Sequence, residues 1–343
     1  MTKILKQVVG IDVAQNELVV SLGRMDQSLD KDVYAYKTFA NKASWFGALL
    51  VWLKKHSDHT VGVRYVMEAT GVYHEKLAYY LSDQGFEVSI VLPNKISSYM
   101  KTLEIKTVTD KTASQAICQF GLERSLELWQ PPKKLIRDLK QLTRERDQIV
   151  ADRTIAKNQL HAEQAEAFPN DRSIYRANQR VKLLVEQERE IKKEIAEFVR
   201  TDRELHKKID LVTTIPGVGS LTAVIAIAET NGFELIRSKK QLVSFAGLDV
   251  VGKDSGTSVK GKPRISKKGN RHLRRAMHMP ALTAIRNDER FKAIFVRLVS
   301  KHGIKMKAAV AVQRKLLEMI YTIWMTEKPY DKQYLQKANT AVA

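Results

Sequence analysis

The chain has 343 residues, 44% of them hydrophobic, enough to build more than one buried core. Its 58 Lys and Arg outnumber 38 Asp and Glu for a formal net charge of +20, which argues against an enzyme of small metabolites and for a polyanionic partner, nucleic acid being the commonest. The single Cys118 excludes an intrachain disulfide and a cysteine-rich zinc module, no apolar run reaches the roughly 18 to 20 residues that span a bilayer, and Met1 to Gln7 lack a signal-peptide core, so a soluble cytoplasmic protein is expected.

Three short β-rich runs open the chain, Gln7 to Asp12, Glu17 to Leu22 and Val33 to Phe39, separated by polar turns and read as consecutive antiparallel strands. A helix follows, with Asn41 as its expected cap and Trp45, Phe46, Leu49, Leu50 and Leu53 at helical spacing. Val61 to Met67 reads as a fourth strand, Tyr73 to Gln84 as a helix ended by Gly85, Phe86 to Leu92 as a fifth strand and Lys111 to Phe120 as a helix. The order β-β-β-α-β-α-β-α, a meander followed by two strands reached through helices, predicts the ribonuclease-H-like α/β fold, a mixed sheet flanked by helices.

Beyond Gln130-Pro131-Pro132 the texture changes. Leu135, Leu139, Leu142, Ile149, Ala156 and Leu160 fall near a 3.5-residue repeat among charged neighbours, as in a long amphipathic helix with a coiled-coil seam. Phe168-Pro169-Asn170 breaks it, and Val181, Leu184, Ile191, Ile195 and Phe198 mark a second such helix. The pair can close on itself as an antiparallel hairpin or join another subunit. From Leu211 a mainly helical unit begins, holding Thr214 to Gly219, the apolar helix Leu221 to Glu229, Phe245-Ala-Gly-Leu248, a basic segment and further helices to about Lys328. The expected domains are 1–130, 131–210 and 211–343.

Several residues are placed to carry chemistry. Asp12 follows the apolar run of the first strand and Glu68 that of the fourth, strands that are neighbours in a ribonuclease-H-like sheet. Carboxylates there suit Mg²⁺, a hard cation that also bridges phosphate oxygens, although solvated acids capping strand ends would look the same. Asp110 opens a helix after Thr109, where an N-terminal cap worth about 1 kcal/mol is the ordinary reading. Ile215-Pro-Gly217-Val-Gly219 is similar to the hairpin of helix-hairpin-helix modules, whose backbone N–H groups meet phosphate, and equally to a plain glycine turn. Between Ser255 and Ala276 no acid occurs, while Lys260, Arg264, Lys267, Lys268, Arg271, Arg274 and Arg275 do, a one-signed tract expected to hold nucleic-acid phosphate rather than serve only as a solvated face. Ser255 lies in that tract beside Gly256, with no hydrolase-type histidine motif to activate it. His272 and His278 read as phosphate contacts or packed rings.

Gly10-Ile-Asp12-Val-Ala, Glu68-Ala-Thr-Gly-Val-Tyr73, Thr109-Asp110-Lys111, Ile215 to Gly219, Phe245 to Leu248 and Ser255-Gly-Thr-Ser-Val-Lys-Gly261, in this order, closely resemble the DEDD transposases of the insertion-sequence-110 family, relatives of the Piv invertases. The resemblance implies a RuvC-like N-terminal domain, a coiled-coil insertion and a C-terminal transposase domain. It implies Asp12, Glu68 and Asp110 as Mg²⁺ ligands and Ser255 as the nucleophile of a covalent serine-DNA intermediate. It also implies target and donor DNA as substrates, a structured bridge RNA as guide in some members, and a homo-oligomer, dimer or tetramer. One position departs from the family motif: a second aspartate belongs three residues after the first, and Ala113 stands there. A working site with altered metal coordination, through water or Ser114, is the favoured reading. A RuvC-like junction nuclease without covalent intermediate and a catalytically silent scaffold remain alternatives.

Overall fold

A computed structural model describes residues 3–332 except 70, 104, 106, 235, 253, 256–258 and 261–263, and of 254, 255, 259 and 260 the backbone alone. The chain divides into two compact units, Met1–Pro131 and Pro132–Ala343.

The first unit is built on a five-stranded sheet of β1 (Ile4–Val13), β2 (Glu17–Asp26), β3 (Lys31–Ala40), β4 (Val63–Glu68) and β5 (Glu87–Val91), in the order β3-β2-β1-β4-β5. β1, β2 and β3 pair antiparallel, whereas β1, β4 and β5 pair parallel, the mixed sheet that the element order predicts. β1 is central because it is apolar on both faces. Val9, Ile11 and Val13 meet Phe46, Leu49 and Leu53 of α1 (Ala43–His56) and Leu77 and Leu81 of α2 (Glu75–Asp83), while Val8 meets Ile117 and Leu122 of α4 (Asp110–Glu123). Gln7, fully buried in the same strand, is satisfied by the 58–61 turn: its Nε2 donates to Asp58 O (2.8 Å) and Val61 O (2.9 Å), and its Oε1 accepts from Asp58 N.

Two local expectations differ. Lys42, not Asn41, precedes α1, and no side chain caps that helix; Asn41 instead donates through Nδ2 to Ala14 O (2.9 Å) and Tyr73 O (3.1 Å), joining the turn after β1 to the loop after β4. An unforeseen helix, α3 (Pro93–Met100), follows β5, started by Pro93 in its first turn and held by buried Ile96 and Tyr99.

The second unit is mainly helical. α5 (Lys134–Gln164) and α6 (Asp171–Thr201), 31 residues each, pack along one another within the chain, and Asn170 starts α6 by accepting from Ser173 N. Between them lies a buried acid, Glu188, which gathers Arg146 (3.0 Å), Arg153 and Lys192 (2.7 Å). Leu139, Ile149, Ile191, Ile195 and Val199 of this pair share one core with α7 (Arg203–Thr213), α8 (Ser220–Glu229), α9 (Lys239–Phe245), α10 (Arg271–Ala276), α11 (His278–Asn287), α12 (Glu289–His302) and α13 (Lys305–Thr326). The basic segment expected to be a loop carries two short antiparallel pairs, β6 (Val250–Val251) with β9 (Arg264–Ile265) and, nested inside it, β7 (Asp254–Ser255) with β8 (Val259–Lys260). Among the described residues no helix is long and apolar enough to cross a membrane.

Candidate functional site

Asp12 and Glu68 are brought together by the sheet. Gly10 stands opposite Val66 and Ile11 opposite Met67, so the two acids are the next residues along parallel neighbours. Val8 and Val66 face α4, whereas Val9, Ile11 and Met67 face the other core, and strand alternation therefore sends Asp12 and Glu68 to the α4 side. α4 runs antiparallel to β1. Its Ser114 and Cys118 lie so close over Gly10 that a Cβ there would stand 2.3 Å from Cys118 N and 2.4 Å from Ser114 O. At the far end Lys6 Nζ donates to Gly121 O (2.5 Å) and Arg124 O (2.9 Å), which satisfies carbonyls at the helix C-terminus. The N-terminus of α4 consequently sits at the Asp12 end, with Asp110 as its first residue and Thr109 capping it by accepting from Thr112 N (3.2 Å).

The electrostatics agree with that placement. Burial, then the charges of Asp110 and Glu68, push the Asp12 carboxyl up to about 6, against an opposing hydrogen bond from the Val13 backbone. Three hard oxygen donors, two of whose charges raise the Asp12 carboxyl, fit Mg²⁺ by donor chemistry. The side chains as placed do not close around an ion: among the described residues no group of three or more His, Cys, Asp or Glu is arranged to hold one. Ala113 is half-buried on the first turns of α4. Ser114, the neighbouring hydroxyl expected as a substitute donor, is fully buried and is committed to Ser21 Oγ (2.8 Å) and Lys111 O (2.9 Å).

In the second unit, Ser255 stands opposite Val259 and Lys260 opposite Asp254 in the inner β-pair. The side chains of Ser255 and Lys260, together with Gly256 and Gly261, lie outside the described residues. Arg264, Lys267, Lys268, Arg271 and Arg275 are exposed, and among the described residues none of them has an acidic partner. Arg274 differs: it is half-buried and donates to Ala246 O (2.8 Å), tying α10 to the Phe245-Ala-Gly-Leu248 turn. Gly217 and Gly219 also part company. Gly217, at φ +88°, packs its backbone on α11, where a Cβ would meet Pro280 O at 2.5 Å. Gly219 precedes α8 with open space at its Cβ position, leaving that helix N-terminus approachable.

Sequence reasoning missed Arg144 and Arg146 of α5, which line one groove with Lys267, Arg271, Arg274 and Arg275. No local signal marks them, since arginines recur along α5. Arg144 reaches the groove through buried Glu229 at the end of α8 (Nε to Oε1 2.8 Å), and Glu229 also accepts from Asn270 Nδ2 (2.6 Å), the residue that caps α10. His272 pairs with Asp147 (3.2 Å) and His278 with Gln313 (3.0 Å), so both rings have side-chain partners.

The first unit thus carries three acids at one end of a mixed sheet, and the second an exposed cationic face. The family model of IS110-type DEDD transposases matches residues 9–169, and the model described as the transposase IS116/IS110/IS902 family matches residues 209–295. The pilin gene-inverting protein of Moraxella bovis is 29% identical over 335 residues, covering 95% of this chain and 98% of its own length. The transposase for insertion sequence element IS1111A of Coxiella burnetii is 23% identical over 292 residues, 77% of this chain and 78% of that protein. Thermus thermophilus RuvC aligns over 36% of this chain and 99% of its own at 11% identity and a TM-score of 0.29, too slight a likeness to carry weight. The chain belongs to the IS110 family of DEDD transposases, a family of DNA-cutting and DNA-rejoining proteins.

Proposed function

We propose that this protein is a DNA transposase or site-specific recombinase that cuts and rejoins DNA through a covalent serine-DNA intermediate, with Mg²⁺ held by Asp12, Glu68 and Asp110. The observation that carries this reading is the convergence of those three acids, registered in the Asp12 carboxyl held near 6. When bound, Mg²⁺ supplies positive charge against the scissile phosphate and favours loss of the serine proton. Ser255 Oγ forms the new bond to phosphorus, its proton passes to water, and the broken strand leaves as an alkoxide that takes up a proton. Attack by a strand hydroxyl reverses these steps and frees the serine. The phosphodiester bond energy is conserved throughout, so no nucleotide cofactor is required. Arg264, Lys267, Lys268, Arg271 and Arg275 hold backbone phosphates. A structured guide RNA and a dimer or tetramer, in which one subunit's acids serve another's serine, complete the proposal; the charge of +20 suits two nucleic acids at once. Ser255→Ala is expected to abolish protein-DNA adducts on denaturing gels while DNA binding persists; undiminished adducts in that variant would exclude the serine.

One observation favours a second reading. Ala113 stands where the family motif has an acid, as expected of a chain that binds nucleic acid without cutting it. Binding without cleavage in either Mg²⁺ or Mn²⁺ would establish that reading instead.

A further inference from the structure

The cationic groove of the second unit is also lined by apolar side chains. Leu221 and Ile225 of α8, Met279 of α11, and Met306 and Val310 of α13 share it with the arginines, in a volume of about 1140 Å³. That exceeds the roughly 300–1,000 Å³ of a small-molecule site, so it suits a run of linked groups rather than one. Met279 and Met306 are 66% and 59% exposed, although apolar side chains this open to water gain nothing without a partner.

The outside of a duplex is a poor match for such an apolar lining, because it presents sugars and phosphates and keeps its base faces stacked. An unpaired strand matches both kinds of lining: its phosphates suit the cations, and its base faces suit the thioethers, which are polarizable and make favourable contacts with rings. Charge complementarity supports a polyanionic occupant. Lys267, Arg271 and Arg275 have no acidic partner among the described residues, while Asp147 is paired to His272 and Arg146. The Gln313 amide and the His278 ring, bonded to each other at 3.0 Å, also line the groove.

We propose that this groove takes an unpaired DNA strand, bases against Met279 and Met306 and phosphates toward Arg271 and Arg275, a proposal that rests on the DNA-rejoining function above but on neither Ser255 nor the carboxylates. DNA is the occupant because it is what the family acts on, and because a strand being exchanged must leave its old partner before it pairs with a new one.

Fluorescence anisotropy of the full chain without divalent cation tests it, using a labelled oligothymidine, a duplex of equal length and an oligouridine. Met279→Ser combined with Met306→Ser is expected to weaken oligothymidine binding about tenfold and leave the duplex nearly unchanged. Met279→Leu with Met306→Leu should restore it, and Arg271→Ala with Arg275→Ala should weaken strand and duplex alike. For the methionine-to-serine variant, equal loss on duplex and strand, no loss on either, or a greater loss on oligouridine than on oligothymidine would overturn the proposal. Both methionines are exposed, so an unchanged helical circular-dichroism signal is expected in every variant. Adduct formation at Ser255 is read separately, which keeps a failure of the groove distinct from a failure of the serine mechanism.

Discussion

Single side chains decide how closely the acids can gather. Gly10 is the residue on which α4 rests, and the 2.3 Å that a Cβ would leave to Cys118 N is backbone contact that no rotamer relieves. Gly10→Ala is therefore expected to lift α4 from β1 and destabilise the first unit by about 1–3 kcal/mol, the usual range for overpacking. Trp45, Trp52 and Trp129 all lie in that unit, so tryptophan fluorescence during urea unfolding should report the loss mainly there. Lifting α4 also carries Asp110 away from Asp12, and the Asp12 carboxyl should titrate closer to its ordinary range. Ala113 lies three residues along the same helix. Ala113→Asp places a fourth carboxylate near the N-terminus of α4, where the helix dipole favours negative charge. Metal-dependent cleavage is expected to rise in that variant, measured as nicking of supercoiled plasmid at limiting Mg²⁺; unchanged nicking would show that the missing acid is not what limits the site.

Between elements, Glu229 joins three helices. It ends α8, accepts from Arg144 of α5 at 2.8 and 3.0 Å, and accepts from Asn270 at the start of α10. Burial opposes its ionised form, yet the hydrogen bonds from Arg144 and Asn270 and the charges of Arg144 and Lys140 outweigh burial and hold the carboxyl below its ordinary value. A depressed folded value stabilises the protein above the unfolded value of about 4.3 and loses that contribution as pH falls through the lower folded one. Glu229→Ala is accordingly expected to cost about 1–3 kcal/mol near neutrality, the penalty of stranding buried hydrogen-bond partners. The gap between variant and parent in denaturant midpoint should shrink as the pH drops below about 4.3. Such ties show why part of the molecule was legible in sequence and part was not. The five strands announce themselves as apolar runs between polar turns, and their order alone predicts the sheet. Asp12 and Glu68 are visible because strand ends are visible. The eight-residue α3 is too short to show a period, and the two-residue strands around Ser255 are shorter than any alternation. Arg144 and Arg146 reach the groove only through tertiary packing, more than a hundred residues from the basic tract they join.

At the scale of the whole molecule, charge sets how the protein meets nucleic acid. A net +20 attracts any polyanion over a screening distance of about 10 Å at moderate salt, and this contribution is independent of sequence. Affinity for random duplex DNA should therefore fall steeply with salt, because each phosphate neutralised releases condensed counterions and adds about 0.9 to the slope of log affinity against log salt concentration. Arg271 and Arg275, exposed and without an acidic partner among the described residues, are able to act this way, whereas Arg274 is occupied by Ala246 O. Replacing Arg271 and Arg275 together by alanine is expected to reduce the slope by about 2 and to weaken all duplex sequences alike. Arg274→Ala should instead lower thermal stability by loosening α10 from the Phe245-Ala-Gly-Leu248 turn, with a smaller change in slope. Isothermal binding titrations across a salt series separate the two cases, since a phosphate contact changes the slope and a structural tie changes the melting temperature. A slope unaltered by the double replacement would mean that the exposed face of α10 does not meet DNA backbone.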